Sequence, residues 1–256
     1  MKMPFIKLNI FLFTIFALGI TVLSIFIHYA NSNINFYTYL IKIYDRDLLI
    51  LINKFFIFSV GILGSIWAYI NYKRTNNIQF VFFYYFISSY IFEPLSIFKY
   101  YFLNEILSLE FYYFMKLYHF ITVFSLLNLF FLSLHICDFQ IKSITYTTYL
   151  ILTSAIIYSS LVPINAYDYN HMHDFLFATG NHRFHVDLFL LLILINFLVA
   201  SLRKANLSYL LLFVSMALIV SGIYFNSIEI PYAFITISIG VPLYLRESGK
   251  LFFYWL

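Results

Sequence analysis

The stretch Leu188-Phe189-Leu190-Leu191-Leu192-Ile193-Leu194-Ile195-Asn196-Phe197-Leu198-Val199-Ala200 interrupts its apolar side chains once, at Asn196. Its hydrophobicity is continuous rather than alternating, so it reads as a helical span and not as a barrel strand. It lies inside a longer run from Asp174 to Leu202, and a hydrocarbon layer about 30 Å thick needs only about 20 such residues. The same ruler, carried outward, finds seven more segments: Phe5 to His28, Leu49 to Ile70, Gln79 to Phe102, Phe111 to Ile136, Thr145 to Val162, Leu207 to Phe225 and Ile230 to Leu245. Lipid leaves the backbone only two ways to satisfy its polar groups, helix or closed barrel. The predicted fold is therefore all-α, a polytopic transmembrane helix bundle with seven or eight spans, forming a single integral membrane domain over residues 1–256. The last segment is the weakest, because Pro231, Gly240 and Pro242 interrupt it and Pro242 removes a hydrogen bond near its end. Seven spans followed by a re-entrant or surface tail is the alternative.

Composition agrees. Of 256 residues, 63% are hydrophobic and 10% charged, against roughly 45–50% and about 25% in soluble globular proteins. A soluble domain is excluded, since so few charges leave most of the surface facing lipid or other apolar protein. The single cysteine, Cys137, excludes an internal disulfide and a thiolate metal cluster. The formal charge of +4 is small and scattered, without the basic stripe that a nucleic-acid partner requires. Phe (33) and Tyr (24) abound while Gly (7) and Pro (5) are scarce, a bias that points to an AT-rich genome, organellar or bacterial. No Arg- and Ser-rich presequence precedes the first apolar run, so the start reads as the mature start. No internal repeat, linker or long charge run divides the chain.

With eight crossings, Lys2, Lys7, Lys73, Arg74, Lys142, Arg203, Lys204, Arg246 and Lys250 fall on one side of the membrane. Asp45, Asp47, Glu105, Glu110, Asp168 and Glu229 fall on the other, together with the contrary Lys42, Arg46 and Lys99. The positive-inside rule then places the N-terminus on the inner side.

A charge at bilayer depth costs several kcal/mol, so ionisable groups within the spans are the first functional candidates. Lys54, Lys99 and Lys116 lie near span ends and are expected to snorkel, with no specific role. Glu93, in Tyr90-Ile91-Phe92-Glu93-Pro94, is deeper, and Pro94 is expected to kink the helix beside it. That acid reads equally as a proton or lipid site and as a hydrogen-bonded structural carboxyl. His119 and His135 read as interhelical hydrogen-bond partners. Four of the seven histidines, His171, His173, His182 and His185, crowd one region, and with Asp174 and Asp187 they could complete a zinc or iron site. The region lacks an HExxH-like pairing of ligand and base, and the metal reading is the weaker one.

The run Ala178-Thr179-Gly180-Asn181-His182-Arg183-Phe184-His185-Val186 resembles the sixth-span motif of subunit III of cytochrome c oxidase, Ala-Thr-Gly, any residue, His, Gly, any residue, His-Val. Arg203 closes the same span, near where that family has an Arg. Phe86-Ile87-Ser88-Ser89-Tyr90-Ile91-Phe92 and Leu126-Leu127-Asn128 resemble its third- and fourth-span segments in the same order, so the resemblance covers roughly Gln79 to Arg203. Departures are Arg183 and Phe189 where the family has Gly, Tyr90 where it has a Glu that Glu93 would replace, and a last span without the family's Trp, His and Asp.

The resemblance implies a non-catalytic core subunit of the respiratory chain, with no active site, cofactor or metal of its own. Haem a and copper would sit in partner subunits. The chain would pack on subunits I and II and accessory subunits in the mitochondrial inner membrane, N-terminus on the matrix side, bind structural phospholipid and support proton uptake. His182 and His185 would be interhelical anchors, Arg203 a phosphate contact and Glu93 a replacement carboxylate. The alternatives are a membrane metal-dependent hydrolase using the His/Asp cluster and a small-solute transporter built around Glu93 and Pro94.

Overall fold

The computed structural model describes residues 45–97, 109–141, 143–162, 182–227, 230 and 232–253. These residues form seven α-helices and one 3-10 helix, with no strand among them. The helices are α1 (Asp45–Thr75), α2 (Ile78–Ser88), α3 (Leu109–Ile136), α4 (Ile144–Leu161), α5 (His182–Lys204), α6 (Leu207–Ser227) and α7 (Ala233–Phe253). A 3-10 segment, Ser89–Ile97, continues α2. Five helices, α1, α3, α4, α5 and α6, are long and apolar enough to cross a membrane. Two fall short of that measure for visible reasons: α2 is only 11 residues long, and α7 carries Arg246, Glu247 and Lys250 in its final turns. The first expected span, Phe5 to His28, lies outside the described residues.

A helix apolar on all sides belongs in the interior. Accordingly α2 is buried from Gln79 to Ser88 and packs between α1 and α3. It meets α7 through the rings of Phe83 and Tyr244, stacked 4.3 Å apart. The outer helices α4, α5 and α6 expose bulky apolar side chains, among them Ile157, Leu161, Leu191, Leu202 and Leu210, as faces in contact with lipid do. Asn196, the polar interruption in α5, turns inward and donates to the Ser133 hydroxyl of α3 at 2.9 Å.

Both prolines sit inside helical segments. Pro242 interrupts the last helix less than expected, since α7 runs past Leu245 to Phe253. Neighbours hold it on both sides of the missing hydrogen bond: Gly240 fits against the α6 backbone, and Tyr244 stacks on Phe83. A Cβ at Gly240 would lie 2.9 Å from the Ser215 carbonyl oxygen, so only glycine permits this crossing. At Pro94 the break is a change of winding that starts five residues earlier. The hydroxyls of Ser88 and Ser89 donate to the carbonyls of Tyr85 and Phe86, at 3.2 and 2.6 Å, and compete with the α-helical pattern there.

Short turns at Asn76, Asp138 and Ala205, all with positive φ, close α1, α3 and α5. The chain reverses at each. The C-terminal ends of α3 and α5 meet where Lys204 pairs with Asp138 at 2.6 Å, and α1 meets α7 where Asn71 donates to the Leu245 carbonyl at 3.2 Å. Lys73, Arg74, Arg203, Lys204, Arg246 and Lys250 therefore gather at one end of the bundle, close to helix C-termini whose dipoles favour positive charge.

Candidate functional site

At the opposite end, polar side chains from five elements converge. Lys54 of α1 is 1% exposed and Glu93 of the 3-10 segment 7% exposed. The Lys54 ammonium lies 3.3 Å from Glu93 Oε2 and donates to Asn226 Oδ1 of α6 at 2.6 Å. Asn226 Nδ2 in turn donates to Glu93 Oε1 at 3.1 Å, and the Tyr118 hydroxyl of α3 reaches the same oxygen at 3.4 Å. Beside Lys54, Asn53 donates to Asn226 Oδ1 at 3.3 Å and accepts the Phe234 N–H at 2.8 Å, which caps the start of α7. This arrangement corrects the expectation for Lys54: it does not snorkel outward but turns into the bundle and meets the buried acid.

Local folding explains why. The 3-10 winding brings Glu93 round to face α1 and α6, and close packing lets α1 reach it: a Cβ at Gly61 would stand 3.0 Å from the backbone of Tyr90 and Ile91. A buried carboxylate needs a partner, because a lone charge in this setting is expensive. Each group in the cluster meets complementary ones, so it joins α1, the 3-10 segment, α3, α6 and α7 at a single point.

A second lysine is also engaged. Lys116 of α3 donates to the carbonyls of Ser159 at 2.8 Å and Ser160 at 2.9 Å, and to that of Val162. It caps the C-terminal end of α4, whose last carbonyls have no intrahelical donors. The expectation of an unassigned snorkelling lysine is corrected here too. Lys99 lies outside the described residues.

The histidines divide. His119 of α3 stacks on Tyr158 of α4 at 5.9 Å, and His185 of α5 approaches the same ring edge-on at 6.2 Å, so one tyrosine touches two imidazoles. His135 pairs with the Phe139 carbonyl, 3.3 Å away and just past its own helix, rather than with another helix as expected. His182 opens α5 in the described chain, and Arg203 is exposed in its last turn. His171, His173 and Asp174, and the motif residues Ala178 to Asn181, lie outside the described residues. Among the described residues no group of three His, Cys, Asp or Glu could hold a metal. Burial pushes the Cys137 thiol up, and the thiol donates to the Asn196 carbonyl at 3.1 Å.

Glu93 was legible as a candidate in the sequence. Asn53, Asn226 and Tyr118 were not. The available signal was the acid itself, which at such depth calls for a base and hydrogen-bond donors without saying which. Comparison with known protein families, curated proteins and solved structures finds no match to this chain.

Proposed function

We propose that the chain is a non-catalytic, integral membrane subunit of a larger complex, in which buried ionic groups hold helices together instead of breaking bonds. The observation that carries this reading is the engagement of Lys54 and Glu93 with each other and with Asn226 across helix boundaries. The carboxylate and ammonium neutralise one another, and donors from two further side chains order them. Bulky apolar faces on α4 and α5 leave wide surfaces for lipid or partner subunits.

The finer reading follows the resemblance of residues 178–186 to subunit III of cytochrome c oxidase. The complex is then cytochrome c oxidase of the mitochondrial inner membrane, with haem a and copper held by the partner subunits I and II. The basic end of the bundle and the N-terminus face the matrix. Arg203, exposed at the basic end, meets a phospholipid phosphate, and His182 and His185 anchor α5 against its neighbours. Glu93 stands near the position of the family's third-span carboxylate, and proton uptake by the complex is the activity it would support.

Purification from native membranes in mild detergent tests this, with an absorption spectrum and subunit masses as the readout. The expected result is a multi-subunit complex with the bands of haem a. A haem-free complex would discard the oxidase and keep the subunit role. Isolation of the chain alone would end both.

A further inference from the structure

Beside the charged cluster lies a cavity of about 70 Å³ between α3, α6 and the 3-10 segment. Eight of its sixteen lining residues fall outside the hydrophobic class that makes up 63% of the chain; they include Glu93, Thr122, Ser125 and Asn226, and the hydroxyl-bearing Tyr90 and Tyr118 line it too. Apolar cavities in proteins stay dry, whereas polar ones of sufficient size hold water. Ionisable side chains at membrane depth face the bundle interior or a water-filled cavity.

Its dimensions are informative. Along α3 the lining runs from Met115 to Leu126, eleven steps of 1.5 Å, or about 16 Å. The membrane-crossing part of α3 is Met115–Ile136, so the cavity begins at one end of the span and stops near its midpoint. At roughly 10–15 Å³ for each water, the volume of about 70 Å³ holds about five to seven. Six waters in file at a hydrogen-bond spacing of about 2.8 Å span about 14 Å, close to the length of the cavity. At the outer end stand Lys116, Val162 and Ser227, the ends of helices α4 and α6. Past Leu126 the core closes, with Phe86, Phe124 and Leu129 buried and Tyr85 packed edge-on against Phe124.

We propose that this cavity is a blind, hydrated inlet that brings water and other uncharged hydrogen-bonding molecules of similar size from the Lys116 end of the bundle to the Glu93 carboxylate and no farther than the middle of the membrane. Ions are poor occupants. The nearby charges of Lys54 and Glu93 compensate each other, and the Lys116 ammonium is engaged with carbonyl groups, so an entering ion would lose hydration without gaining a counter-charge. The inlet is independent of which partners the chain has.

Radiolytic hydroxyl labelling of the intact protein in nanodiscs and ¹⁸O-enriched water, read by peptide mass spectrometry, tests the inlet on a matched pair. Tyr90 lines the cavity and Tyr85 does not, yet both are 6% exposed. The inlet predicts label on Tyr90 and Met115 at least fivefold above Tyr85 and the buried Met216. Thr122→Leu, which adds bulk to the cavity wall, should bring Tyr90 down toward the controls and leave Met115, at the mouth, labelled. Equal labelling of Tyr90 and Tyr85 in the unmodified protein would overturn the proposal, and so would undiminished Tyr90 labelling in a folded Thr122→Leu protein. Strong labelling of both tyrosines would refute the blind end.

Discussion

Lys54 and Lys116 show how one residue type answers two different needs. Each stands close to the end of a span, where a long stem could carry its ammonium to the interface. One instead meets a buried carboxylate, and the other closes the open carbonyls of α4. The positive-φ turns show the opposite economy. Asn76 and Asp138 tolerate the left-handed region, but Ala205, at φ 45°, carries a Cβ where glycine is preferred. A glycine there would relieve about 1–2 kcal/mol of steric cost and lose part of it to backbone entropy. Ala205→Gly is therefore expected to raise stability by about 0.5–1 kcal/mol, read as a higher midpoint of thermal unfolding in the same detergent. An unchanged or lowered midpoint would show the turn to be unstrained.

Among elements, the pairing of helix ends sets the pH behaviour open to measurement. Lys204 donates to Asp138 at 2.6 Å, and that hydrogen bond holds the Asp138 carboxyl below its usual range. A carboxylate whose pKa is lower in the folded chain stabilises it above the unfolded value, about 3.9, and that contribution is lost as pH falls through the folded value. Asp138 is well exposed, so the effect is small, about 0.2–1 kcal/mol. Asp138→Asn should lower the unfolding midpoint slightly at pH 7, with the deficit shrinking as pH falls below about 3.9; a deficit that does not shrink would assign the loss to the turn and not to the charge. The helices themselves were readable in advance because continuous apolar runs have few alternatives in lipid, and α3, α4 and α6 fall close to the expected segments. The winding at Ser89 and the survival of α7 past Pro242 were not. The first needs two serine hydroxyls to turn back on their own helix, which composition does not reveal; the second depends on contacts from other helices, which override the local preference of proline.

At the scale of the whole molecule, bases collect at one end of the bundle and the neutralised cluster at the other. The first was visible in the order of charges along the chain, since alternate spans bring alternate loops together. The second was half visible. Glu93 is marked by its depth, but its partners Lys54 and Asn226 stand 39 and 133 residues away, and no spacing rule connects them. The account rests on this cluster as the clasp between helices. A double-mutant cycle on Lys54→Met and Glu93→Gln, with unfolding in denaturing detergent as the readout, tests it most directly. Each single change should destabilise by about 3–5 kcal/mol, and the double change by clearly less than their sum, because removing both partners leaves no unpaired charge. Strictly additive losses, or singles below about 0.5 kcal/mol, the scale of ordinary surface substitutions, would contradict the clasp.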